Sequence, residues 1–144
     1  MLEHLGAVAS ECQRWGMPLL AMMYPQNVDE SALVDAQAIA IRIAFECGAD
    51  VVKIENTARL PGFEQLIKNA GVPVLVSGGP FHDGSDATSL LTHIELAINH
   101  GASGLSVGRH VFQRSNRIEV LQAFEGIVHR GMSAHEAASL FGSQ

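Results

Sequence analysis

A chain of 144 residues with 47 % hydrophobic content is a single domain by length and carries enough apolar side chains for a core of its own. Its formal net charge of −6, with no basic stretch longer than two residues, excludes an electrostatic footprint for nucleic acid or an anionic membrane. No run reaches the roughly 18 to 20 consecutive apolar residues of a membrane-spanning helix, so chemistry on small molecules fits better.

From the N-terminus, Leu2 to Trp15 has apolar residues at helical spacing (Leu2, Leu5, Val8, Ala9, Cys12), and Gly16 followed by Pro18 stops it. The apolar run from Pro18 to Tyr24, closed by Pro25, suits a strand buried on both faces. Asp29 to Cys47 is again helical (Leu33, Ala36, Ile39, Ala40, Ile43), with Gly48 as the terminating glycine. Ala49 to Ile54 repeats the strand signal. A helix near Gly62 to Ala70, a strand from Val72 to Ser77, a helix from Ser85 to His100 and a strand from Ala102 to Val107 follow. The remainder is a short turn from Arg109 to Arg114, a helix from Asn116 to His129, and a last helix opened by Ser133-Ala134-His135-Glu136, which has the form of a capping box.

Four strands thus begin near residues 18, 50, 72 and 102, each reached through a helix. Repeated βα units require parallel strands with helical crossovers, and no linker or low-complexity tract marks a second domain. The expected fold class is α/β: one domain over residues 1–144, half of a (β/α)8 barrel, since a closed barrel needs eight units and about 250 residues. A four-stranded open sheet is the alternative, and it needs helices on both faces. The bare edges of a half-barrel predict a homo-oligomer or pairing with a complementary half. Cys12 and Cys47 belong to no CxxC pair or zinc-spaced cluster and read as reduced thiols of a cytoplasmic protein. The first 16 residues carry acidic groups and no cationic flank with a long apolar run, so they read as neither signal nor transit peptide.

Chemistry gathers at the strand ends. Side chains alternate along a strand, so Lys53 shares a face with Val51 and Glu55, while Val52 and Ile54 take the other. Inside a barrel the charged form of a lysine is disfavoured, which leaves an amine able to attack a ketone or aldehyde and form an imine. The strand pattern alone equally accommodates a lysine that reaches solvent or pairs with Glu55. Tyr24 ends the first strand, where a phenol can donate and recover a proton or simply form part of the rim. The third strand ends in Ser77-Gly78-Gly79-Pro80 and the fourth in Val107-Gly108-Arg109. Paired glycines let backbone N–H groups approach an anion, and Arg109 can add a bidentate contact, so Ser77, Gly78, Gly79, Gly108 and Arg109 form a candidate phosphate site. His82, Asp83 and Asp86 lie together but lack a second cluster with HxxxH or HxH spacing, and no metal is expected. No cofactor is expected either.

Four motifs carry a resemblance: GMPLLAMMYP (16–25), GADVVKI (48–54), PVLVSGGP (73–80) and GASGLSVGRHVFQ (101–113). Over essentially its whole length the chain resembles the archaeal-type class I aldolases, the group related to fructose-bisphosphate aldolase and deoxyribose-phosphate aldolase. The resemblance implies a (β/α)8 barrel of which these are strands five to eight. It implies Lys53 as the Schiff-base lysine, Tyr24 as the proton-transferring tyrosine and the two glycine loops as the seat of a phosphorylated substrate. The MMYP stretch is most similar to the branch that makes a 2-amino-3,7-dideoxy-heptulosonate precursor, and a thiolase acting on a phosphorylated dione also belongs to the family. The implied activity is therefore a lyase of fructose-bisphosphate aldolase type. Its alternatives are a heptulosonate synthase or a catalytically incomplete half-barrel that retains the phosphate seat. Two departures stand out: Gln26 follows Tyr-Pro where arginine is usual, and His110 stands where asparagine is common. The family's first four strands, one of which carries an acidic residue that assists catalysis, have no counterpart in these 144 residues.

Overall fold

The computed structural model describes residues 2–79 and 87–140. In chain order the described elements are α1 (Leu2–Arg14), β1 (Leu20–Met22), α2 (Glu30–Glu46), β2 (Val51–Ile54), α3 (Phe63–Lys68) and β3 (Val74–Val76). They continue with α4 (Ala87–Asn99), β4 (Gly104–Leu105), α5 (Arg109–Phe112), α6 (Arg117–Arg130) and α7 (Ala134–Ser139). His82, Asp83 and Asp86, weighed above as metal ligands, fall outside the described residues, as do Pro80 and the predicted helix start at Ser85.

The four strands form one sheet in the order β1-β2-β3-β4, every pair parallel. Consecutive strands are neighbours, joined by helical crossovers, which is the arrangement of half a (β/α)8 barrel. The register aligns Met22, Lys53, Leu75 and Gly104 in one row across the sheet. Glycine ends the second helix as predicted: Gly48 takes φ 93°, and a Cβ there would lie 3.1 Å from that of Ala9. The glycine therefore both reverses the chain and lets α1 pack close to the end of α2. At the same end of the strands Asp50 Oδ2 accepts the Leu19 amide at 2.7 Å and holds the entries of β1 and β2 together.

One sheet face is covered. Ala21, Val52, Ile54, Val74 and Val76 are buried against Ile41 and Ala44 of α2, Phe63 and Leu66 of α3, and Ala97 of α4. A second cluster joins Leu91 and Ile94 of α4 to Val120, Phe124 and Ile127 of α6 and to Ala134 and Ala137 of α7. Each fully buried Val, Ile, Leu or Phe contributes roughly 1.5–3 kcal/mol, so the sheet is anchored from the helix side.

The other face is open, which corrects the expectation of strands buried on both sides. In β1 only Ala21 is buried, while Leu20 and Met22 are 40 % and 62 % exposed. In β2 the pattern alternates, with Val51 and Lys53 partly exposed and Val52 and Ile54 buried. The apolar run of β1 was a sound strand signal, but four strands make only an arc. The side chains that would meet across a closed barrel have nothing opposite them. The same lack of cover reaches α1, whose Leu2 and Val8 are about half exposed and whose end carries the exposed Trp15.

Candidate active site

All seven residues singled out from the sequence line one cleft of about 270 Å³ at the C-terminal ends of the strands: Tyr24, Lys53, Ser77, Gly78, Gly79, Gly108 and Arg109. They come from four separate strand ends and meet because a parallel sheet brings every strand out on the same rim. Larger hollows lie between α1 and the end of α2 and between α2 and α3, on the helix side of the molecule, away from these residues.

Lys53 projects from the last half of β2 on the open face. Its backbone is pinned, since its carbonyl accepts the Met23 amide at 2.8 Å, and its side chain is partly exposed. The pairing with Glu55 considered above is not formed. Among the described residues the ion pairs are Arg14–Glu11, Arg42–Glu46 and Arg130–Glu125, all at the surface. Tyr24 lies two residues past β1 and is 37 % exposed, a rim position.

Two loops form the opposite wall. Ser77 leaves β3 with its amide bonded to the Ile54 carbonyl at 2.9 Å, and Ser106 leaves β4 with its amide on Val76 at 3.0 Å. Beyond these points the ladder ends, and the amides of Gly78, Gly79 and Gly108 donate to no acceptor among the described residues. The two loops are locked together twice. Arg109 Nη2 donates to the Gly79 carbonyl at 3.2 Å, and the buried His110 ring packs beneath Gly78, where an added Cβ would come within 2.7 Å of its Cδ2. A cluster of unpaired amides beside a guanidinium is an arrangement suited to an anion.

The turn after Lys53 is held from two sides. Gln37 of α2, fully buried, donates to the Glu55 carbonyl at 3.1 Å and accepts from Thr57 Oγ1 at 2.6 Å. Asn56 donates to the His93 carbonyl of α4 at 3.1 Å and accepts the Ala58 amide. His93, behind this turn, is held below the ordinary histidine pKa by burial first and by the charge of Arg59 second. It does not line the cleft. Glu55, Ser106, Val107 and His110 complete the lining. Ser106 and Val107 had no signal beyond their place before Gly108, and the buried Gln37 had none, because it supports the site from a helix face that reads as ordinary core. Among the described residues no three His, Cys, Asp or Glu side chains gather as a metal site.

The comparisons agree with this geometry. The model of the DeoC/LacD family aldolases matches residues 1–114. The chain is 33 % identical over 130 residues to 2-amino-4,5-dihydroxy-6-oxo-7-(phosphonooxy)heptanoate synthase of Streptomyces griseus, covering 89 % of this chain and 47 % of that protein. It is 34 % identical over 144 residues to 2-amino-3,7-dideoxy-D-threo-hept-6-ulosonate synthase 1 of Archaeoglobus fulgidus, covering 99 % and 52 %. With the class 1 fructose-bisphosphate aldolase of Thermoproteus tenax it shares 35 % identity over 140 residues, 94 % of this chain and 52 % of that one. The chain thus spans about half the length of the curated relatives it matches. Parallel βα repeats, a strand-end lysine and tyrosine, and two glycine loops on one rim accord with that match, and the chain belongs to the DeoC/LacD family of aldolases.

Proposed function

We propose that this chain carries the Schiff-base half of a class I aldolase, similar to fructose-bisphosphate aldolase, acting on a phosphorylated ketose or keto compound. The observation that carries the reading is the convergence of Lys53, Tyr24 and the Gly78–Gly79/Arg109 wall on one cleft. Lys53 Nζ attacks the substrate carbonyl carbon to give a carbinolamine, which loses water to become an iminium. The iminium takes up the electron pair of the bond between its α and β carbons as that bond breaks, the β-hydroxyl gives up its proton and departs as an aldehyde, the enamine left behind gains a proton at its α carbon, and water then releases the ketone and the amine. Tyr24 hands protons to and from the oxygen atoms involved. The amides of Gly78, Gly79 and Gly108, with Ser77 and Arg109, hold the phosphate and so fix the carbonyl against the lysine. No cofactor is invoked, and we assign the protein to the cytoplasm on its free thiols, Cys12 and Cys47.

The relatives from Streptomyces griseus and Archaeoglobus fulgidus favour a second reading, a heptulosonate-type synthase that uses the same lysine. Either reaction needs the open sheet face covered, by a complementary half-barrel or by a second copy of the chain. The test is to incubate the protein with dihydroxyacetone phosphate or fructose 1,6-bisphosphate, reduce with borohydride, and weigh the Lys53 peptide. A stable adduct that disappears in Lys53→Met is expected. If no adduct forms at high substrate, with or without an added N-terminal half-barrel, the imine is ruled out and a phosphate-binding half-barrel without turnover is left.

A further inference from the structure

We infer that Glu55 sets the charge the cleft accepts, so that the substrate carries a single phosphate, with a hydroxylated or cationic group rather than a second phosphate at its far end. The inference rests on the Schiff-base reading above and narrows its substrate class. Between positions 55 and 58 the polar side chains of Asn56 and Thr57 are used by the fold, one on α4 and one on Gln37 of α2. The Glu55 side chain is different: it is exposed, makes no hydrogen bond or ion pair among the described residues, and lines the cleft with Lys53 and Tyr24. Its backbone is nonetheless fixed through the Gln37 bond to its carbonyl, so Glu55 is held at the cleft rather than on a loose loop. It stands two residues beyond Lys53, just past the end of β2, and lines the same cleft.

A charge inventory of the lining gives the consequence. The side chains that carry fixed charge are Lys53, Arg109 and Glu55. The lysine becomes the iminium, whose charge stays at the carbonyl carbon, and Arg109 belongs to the phosphate wall, where it already reaches Gly79. Gln26, the residue after Tyr24-Pro25, turns its amide back onto the carbonyl of Tyr24 at 3.1 Å and is uncharged in any case. No cation among the described lining residues is left to neutralise a second phosphate, and one carboxylate lines the same cleft. A like charge at this range disfavours the wrong ligand more than any contact here favours it, which is selection by repulsion. The same carboxylate accepts hydrogen bonds from hydroxyl groups or an ammonium without penalty.

Fructose 1-phosphate and fructose 1,6-bisphosphate differ only in the distal phosphate and make the matched pair. The full 144-residue chain is given both at equal concentration and low ionic strength, where screening is least, and the imines are trapped with borohydride. We expect the monophosphate adduct to exceed the bisphosphate adduct by about tenfold or more. Glu55→Gln should narrow that preference to within about threefold, and Glu55→Lys should invert it. Equal adducts in the unaltered chain, or an unchanged preference in Glu55→Gln with its thermal unfolding preserved, overturn the inference while leaving the imine intact. If neither ketose gives an adduct, with or without an added N-terminal half-barrel, the Schiff-base reading fails, and calorimetric binding of the same two esters decides the charge rule alone. A preference for the monophosphate that Glu55→Gln abolishes then upholds it, and equal affinities in both proteins overturn it.

Discussion

Gly78 has no room for a side chain, because the ring of His110 and the Cγ1 of Val107 would lie 2.7 and 2.9 Å from a Cβ there. The close approach is what brings the loop after β3 against the start of α5 and lines up the amides beside Arg109. Gly78→Ala should therefore push the loops apart, cost about 1–3 kcal/mol of stability, and weaken binding of phosphate esters. Pairing it with His110→Ala, which clears the space, should recover part of the loss. Thermal unfolding of the two single variants and the double one measures the coupling, and strict additivity would show that the contact does not govern the loop. The paired glycines of this loop stood out in the sequence. The reason Gly78 has no side chain did not, since the atoms that forbid it belong to residues about 30 positions away. Glu55 is a similar case: its face follows from strand alternation, but its lack of a partner and its place over the cleft follow only from what surrounds it.

At the scale of elements the βα order was legible, and so were most helix boundaries, because helical spacing, terminating glycines and the Ser133–Glu136 pattern act within a few residues. The capping box at α7 is formed as predicted. Ser133 Oγ accepts the Glu136 amide at 3.2 Å, and Glu136 Oε2 accepts the Ser133 amide at 2.8 Å. The Ser133 amide first, and then the Ser133 hydroxyl, which donates to the same Oε2 at 2.8 Å, hold the Glu136 carboxyl below its ordinary pKa. A depressed folded-state pKa means a contribution fully present above about pH 4.5 and lost as the pH falls through the lower folded value. α7 should accordingly loosen from α4 in acid before the sheet does, seen as earlier amide exchange in residues 134–139. Glu136→Gln should be weaker at neutral pH and lack the acid step, whereas an identical acid profile would place the titration elsewhere. The strands are shorter than the apolar runs that announced them, with three residues in β1 and two in β4. Alternation in the Ala49–Ile54 run set Lys53 on the face opposite Val52 and Ile54 correctly and could not report where ladder pairing stops.

Among the described residues the sheet is an arc with two free edges, β1 and β4, and an apolar inner face that includes the exposed Leu20 and Met22. Unpaired parallel edges next to exposed apolar side chains favour pairing with another set of strands. In solution the 144-residue chain is expected to self-associate, and Leu20→Lys with Met22→Lys should shift it toward monomer with its helix content retained. Sedimentation velocity across a hundredfold range of concentration tests this, and a monomer throughout, with the unaltered sequence, would dispose of the pairing. By itself the sequence determined the βα repeat, the helix ends and the row of chemically capable residues at successive strand ends, all of which depend on neighbours close along the chain. Only the tertiary structure decided that those residues meet in one cleft, that His110 fills the space under Gly78, and that one face of the sheet lies uncovered. Those features depend on register between strands and on which surfaces have something opposite them, and hydrophobic patterning along a chain records that a side chain is apolar without recording what it packs against.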